Sequence, residues 1–258
     1  YYDDEELPAG LTATVTALAG GAGNPDIADV FTAIGDEWFT DIVAPYTDAA
    51  NLNALKSELE TRFGPMAMID GHAYIGLSDT HANLITEGQN HNSPHVSFVS
   101  SDASPSPHYE WAAAVGAVGA FYAKQDPARQ LRTVKLPGLL PPKVTKRFTA
   151  TEQELLLRNG MSTWYVDADG AVRLDRLITS YRENELGAAD PSYLDFTTVK
   201  TVTYLRYDVN TFVALRYPNW KLADDGTNFA RGQNVMTPNT MRASLIARFK
   251  QWEELGLV

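Results

Sequence analysis

Five histidines, His72, His81, His91, His95 and His108, fall within 37 residues of a chain that has no cysteine. Imidazoles at that density can hold a metal ion or move protons. A metal site needs rings that converge, most simply as a His-x-x-x-His pair on one helix face. No such pair lies in a helical pattern, and His91-Asn92-Ser93-Pro94-His95 runs across a proline, where the two rings need not converge. His72 and His95, near the ends of two strand-like segments, are expected at opposite rims of a sheet. The spacing favours no metal and no cofactor.

Nucleophilic hydrolysis asks for a hydroxyl, an imidazole and a carboxylate in hydrogen-bond order. Asp70-Gly71-His72 and Asp79-Thr80-His81 supply two of the three types in sequence, but no Gly-x-Ser-x-Gly elbow presents a serine. The serines of 100–107 read as a loop running into a helix start. Gly20-Gly21-Ala22-Gly23-Asn24 stands where an anion-binding turn would stand, between a strand pattern and a helix pattern. It lacks the Gly-Lys of a P-loop and the spacing of a dinucleotide fingerprint, so it reads as a helix-start turn without a ligand. Asp167-Ala168-Asp169-Gly170 is too short for a calcium loop and has no downstream bidentate Glu, which leaves a hairpin turn. No catalytic residue is assigned.

The elements that would position these side chains alternate in type. Strand patterns over 12–18, 38–43, 67–74 and 96–100 are interleaved with helix patterns that end near 34 or cover 49–63, 80–88 and 110–124. Such alternation predicts βαβ units, hence an α/β three-layer sandwich with a mainly parallel or mixed sheet flanked by helices. The 110–124 helix is rich in Ala and Gly and is expected to approach its neighbours closely. A Pro- and Gly-rich connection at 136–142 follows, and then a short helix with Thr151 before its acidic first turn and Asn159-Gly160 as its stop. Segments 161–166 and 172–178 form a β-hairpin across Asp-Gly. Apolar residues recur at helical spacing over 192–214 and 240–255, predicting two amphipathic helices.

Charge narrows the partners. The chain holds 32 Asp and Glu against 21 Lys and Arg, a net charge of −11, which argues against a surface made for nucleic acid or anionic lipid. Positions 1–130 carry 18 acidic and 4 basic residues, and the remainder 14 acidic and 17 basic. An acidic face of one copy meeting a basic face of the next would use that asymmetry. No apolar run is long enough to span a bilayer. The chain opens without Met and stops just after a helical pattern, and it reads as a trimmed piece.

Several stretches, taken together and in order, resemble the contractile-tail sheath proteins of Mu-like phages. They are 11–27 (LTATVTALAGGAGNPDI), 39–48 (FTDIVAPYTD), 62–74 (RFGPMAMIDGHAY), 104–111 (SPSPHYEW), 127–142, 147–160, 190–208 and 218–258, the last including LADDGTNFARGQNVMTP. The resemblance implies a subtilisin-like shape without a triad, in a structural subunit that polymerises around a tail tube and contracts. It implies other copies of the chain, the tube protein, and baseplate and terminator proteins as partners, in a virion assembled in host cytoplasm.

On that basis the chain is expected to be one sheath body over 1–258 without the N-terminal region and C-terminal arm that the resemblance implies for the family, with a long loop or internal boundary near 136–150, and monomeric in dilute solution. Candidate contacts between bodies are Asp26, Asp29, Asp36, Glu37 and Asp41 against Lys143, Lys146, Arg147, Arg173, Arg176 and Arg182. The reading from another class is a small-molecule-binding α/β enzyme at the sheet rim, which would need the glycine turn and the histidines to converge.

Overall fold

Strands β1 (Asp41–Ala44), β2 (His72–Leu77), β3 (Val96–Ser100), β4 (Met161–Val166) and β5 (Val172–Arg176) form one sheet in chain order. The first four are parallel and β5 returns antiparallel. The computed structural model describes residues 8–12, 14, 16 and 19–258. The strand expected over 12–18 falls largely outside the described residues.

Every residue of β2 and β3 is buried, as a parallel sheet covered on both faces requires. Side chains divide by the period of two. Ala73, Ile75 and Leu77 of β2 and Val96 and Phe98 of β3 join one apolar cluster with Ile27 and Phe31 of α1 (Ile27–Ile34), Leu52, Leu55 and Leu59 of α2 (Ala49–Phe63), Leu84 of α3 (His81–Asn90) and Leu156 of α5 (Ala150–Arg158). Tyr74 and Val99 point the other way, into a cluster with Trp111, Val115 and Val118 of α4 (His108–Gln125) and Phe196 of α6 (Phe196–Arg216). The three-layer α/β architecture expected from the alternating pattern is the one observed, and each such buried large side chain contributes about 1.5–3 kcal/mol.

The small residues of α4 do what their size allows. A Cβ on Gly116 would lie 2.9 Å from Val43 Cγ2, and one on Gly119 would lie 2.7 Å from Tyr74 Oη. The connection beyond α4 lies along the open edge of β5, where the Leu136 amide donates to Val172 O at 2.9 Å and covers backbone that would otherwise be unpaired. The hairpin turns at Gly170 with φ +79°.

Two expectations need correction, and one pair of strands lies outside them. The strand expected over 67–74 begins only at His72, because the Met68 and Ile69 amides donate to Gly64 O and Arg62 O and close the end of α2. The cap of α5 is Thr149 instead of Thr151: Thr149 Oγ1 accepts from the Glu152 amide and Glu152 answers to the Thr149 amide, a reciprocal capping box. A two-stranded parallel sheet, β6 (Lys221–Leu222) with β7 (Val235–Met236), precedes α7 (Pro238–Glu254), and strands of two residues leave no periodicity to read.

Candidate functional site

Buried polar side chains gather where the parallel strands begin. Asp41 pairs in register with His72, and Ala73 with Val96, so Asp41, His72 and His95 stand at one rim. This corrects the expectation that the two histidines lie at opposite rims: parallel neighbours start at the same end. Helix α6 crosses that rim. Lys200 Nζ donates to Thr40 O at 2.9 Å and to Asp41 Oδ1 at 2.7 Å. Tyr74 Oη donates to the same carboxylate oxygen at 2.7 Å. Arg206 Nε lies 3.3 Å from Asp70 Oδ2, and its Nη2 donates to Phe63 O at 2.7 Å.

Burial governs the protonation of this cluster. It pushes the Lys200 ammonium below its usual pKa, against the opposing pull of Asp41. It raises the Asp70 carboxyl, opposed by Arg206. His95 is held down at about 4, by burial first and then by the Arg206 charge. Both Asp70 carboxylate oxygens are buried without a hydrogen bond, so the ion pair to Arg206 is what stabilises its charge.

His72 Nε2 lies 2.8 Å from Ser97 Oγ, the spacing of a base and its nucleophile. The rest of such a site is missing. His72 Nδ1 is buried with no partner, so no carboxylate orients the ring. The ring packs edge-on to Tyr74 and Phe196 at 5.1 and 5.0 Å. Burial, then Lys200 and His95, hold its pKa well below the usual value. The pair joins β2 to β3 inside the core.

The other histidines are dispersed. His81 Nε2 is 3.0 Å from Glu152 O, linking α3 to α5, and His108 Nε2 is 3.1 Å from Pro45 O. His91 lies 3.7 Å from Glu87 and packs on Phe98. Among the described residues no three His, Asp or Glu side chains are grouped to hold a metal ion.

The glycine-rich turn reaches helix α1, whose first amides are already satisfied by the chain. Ala28 N donates to Asp26 Oδ1 at 2.9 Å, and Ile27 N to Asn51 Oδ1 at 2.8 Å. Asn24 donates to Asp48, whose carboxyl is held down at about 2 chiefly by hydrogen bonds from Asn51 and Asn24. An anion there would have to displace these groups. The Asp167 to Gly170 turn is likewise engaged, with Arg173 Nε 2.6 Å from Asp167 Oδ2. The glycine turn is held to α2 through Asp48, and among the described residues no hydrogen bond joins it to a histidine.

The candidate contact residues are variously placed. Asp29, Asp36, Glu37 and Lys146 are exposed, and Asp26 is exposed while capping α1. Asp41 is held by Lys200 and Tyr74, Arg173 by Asp167, and Arg176 by Asp195 at 2.9 Å. Arg147 Nε donates to Pro142 O at 2.9 Å, Arg182 Nη2 to Gln89 O at 3.0 Å, and Lys143 is half-buried. Lys200 and Arg206 fasten α6 to the rim, and the pattern did not single them out. Their only signal is a cation among the apolar residues of a helix that has no marked apolar face.

A mainly parallel sheet covered on both faces, with its titratable groups turned into packing contacts, defines an α/β structural body. Residues 20–180 match the family described as the phage tail sheath protein central domain. Over all 258 residues the chain is 39% identical to the Mu-like prophage FluMu tail sheath protein of Haemophilus influenzae. The chain belongs to the phage tail sheath family, structural proteins of contractile tails. It spans 53% of the length of that relative.

Solved structures agree on the fold. A sheath tail protein of Desulfitobacterium hafniense superposes with a TM-score of 0.63 at 14% identity, over 96% of this chain and 58% of that one. Another from Listeria innocua gives 0.54 at 18%, over 78% and 45%. A chain of the anti-feeding prophage baseplate gives 0.53 at 13%, over 89% and 57%.

Proposed function

We propose that the chain is the body of a sheath subunit that polymerises with its own kind around a tail tube and contracts, driving the tube through a host envelope. Identity of 39% along the whole chain to a tail sheath protein carries this reading. The rim cluster supports it: charged groups that an enzyme would aim at a substrate instead tie α6 to β1 and α2. The subunit acts mechanically and catalyses nothing.

Its partners are other copies of itself, the tube protein, and the baseplate and terminator proteins, in a virion tail assembled in host cytoplasm. Residues 1–258 act as one body, and the 136–150 stretch is a connection across it. Leu136 is buried in the α4 cluster, as such a connection requires. Contraction asks for two packings of the same bodies, separated by a barrier. Exposed charges that can exchange partners suit that requirement.

Negative-stain microscopy tests the reading. The complete protein, in the length of its Haemophilus relative, should form tubes or rings when expressed alone. The 258-residue chain at matched concentration should stay dispersed. A complete protein that stays dispersed at every salt and concentration would remove the assembly reading.

A further inference from the structure

We propose that α1 of one copy docks against α7 of a second copy, in a head-to-tail contact registered by charge. The proposal rests on the sheath reading, since it requires copies of the chain side by side.

Helix α7 has two distinct sides. Trp252 is buried and its Nε1 donates to Asp208 of α6 at 2.9 Å, while Arg248 Nε donates to the same carboxylate at 2.6 Å. Those contacts fasten one side to α6. On another side Arg242, Ile246 and Lys250 are spaced four apart and so form a row, with Phe249 and Glu253 in the row beside it. All five are exposed, Ile246 at 50% and Phe249 at 46%. Two large apolar side chains are therefore about half exposed, flanked by two cations, with Phe249 also stacked on Trp252 at 4.9 Å.

Helix α1 presents the complement. Ile27 and Phe31 are buried against the core, which turns Asp29, Val30 and Ala33 outward, with Val30 at 51% exposure. Asp26, Asp36 and Glu37 surround them, all exposed. No Lys or Arg occurs in the first 55 positions. The cation beneath this helix, Arg62, is buried and donates to Glu58 and to the carbonyls of Gly35 and Glu37. It does not neutralise the outer face.

A second copy is the occupant the charges favour. One chain carries both a small apolar patch ringed by carboxylates and a small apolar patch flanked by cations. Two different patches meeting make a heterologous contact, which propagates along an assembly instead of closing a dimer. Burial of Val30, Ala33, Ile246 and Phe249 supplies attraction, and the charges fix orientation and exclude wrong registers.

These 258 residues contain no cysteine, and any cysteine elsewhere in the complete protein is first replaced by serine. Tubes of the complete protein carrying both Ala33→Cys and Phe249→Cys should give a ladder of disulfide-linked species on mild oxidation. Mixing the two single variants should give dimers. Asp29→Arg alone, or Arg242→Glu with Lys250→Glu, should raise the critical concentration for assembly at least about tenfold, and combining all three should restore it. These are exposed positions, and unchanged thermal melts of the variants should accompany the loss. Tubes that form without a ladder, or reversals that leave the critical concentration unchanged, would overturn the contact and leave the sheath reading standing. No tubes from the unmodified protein would remove both.

Discussion

Lys200 Nζ sits 2.7 Å from Asp41 Oδ1, joining α6 to the first residue of β1 across 159 positions of sequence. The lysine side chain is 7% exposed and the aspartate 20%, so the two partners are not equally expensive to strand. Removing one member of a buried pair leaves an unpaired charge in a poor solvent, which costs about 3–5 kcal/mol where burial is complete. Asp41→Asn leaves the deeper ammonium unpaired and should cost about 3 kcal/mol. Lys200→Met leaves a carboxylate that water and Tyr74 still reach and should cost less. Urea unfolding of the two single variants and the double variant measures this. A double variant as unstable as the sum of the singles would show that the pair is not coupled.

The rim histidines make stability depend on pH. His72 and His95 are both depressed when folded, the latter to about 4 against a usual 6.5. Between those values the unfolded chain binds more protons than the native one, so stability is full above about pH 6.5 and falls as pH drops toward 4. His95 alone contributes about 3 kcal/mol to that loss. Asp70 is shifted upward and acts in the opposite sense, gaining its proton more readily when folded and so offsetting part of the loss at the acid end. Urea midpoints measured from pH 7.5 to 4.5 should fall steadily, and His95→Gln should flatten the slope. A slope unchanged in that variant would mean that His95 is not the group responsible.

The cap of α5 distinguishes two threonines that stand two positions apart. Thr149 Oγ1 accepts the Glu152 amide, and the Glu152 carboxylate accepts the Thr149 amide at 2.7 Å. Thr149→Ala should destabilise by about 1 kcal/mol, and Thr151→Ala, at the second position of the helix, should be close to neutral. Equal losses at the two positions, read as shifts in thermal midpoint, would mean that the capping box contributes nothing measurable.

Local chemistry and short-range pattern made much of this fold legible. Helix α2 occupies 49–63 and β3 occupies 96–100, as their periodicity and boundaries indicated. The hairpin followed from Asp-Gly. What escaped the pattern depends on distant contacts. β2 begins at His72 and not at Ala67, because the preceding amides close α2. His72 meets Ser97, and Arg206 meets Asp70, only once the sheet is assembled. The outward row on α7 is equally opaque in sequence, since Ile246 and Phe249 count as core residues until the packing shows which side of the helix meets α6.

Gly88 offers the sharpest conflict between local preference and packing. It lies inside α3, where alanine is ordinarily favoured over glycine by about 1 kcal/mol through lower backbone entropy in the unfolded chain. A Cβ at that position would lie 2.0 Å from the carbonyl oxygen of Asn159, the residue that ends α5. Backbone on both sides cannot rotate away as a flexible side chain could, so α3 and α5 would have to separate. Overpacking of that kind costs about 1–3 kcal/mol, occasionally more, and exceeds the propensity gain. Gly88→Ala should therefore destabilise. Gly76→Ala should do so as well, because its Cβ would meet His108 O at 1.9 Å where α4 begins. Denaturant midpoints decide the matter: an increase in stability for Gly88→Ala would mean that α3 and α5 do not pack as closely as the Asn159 contact requires.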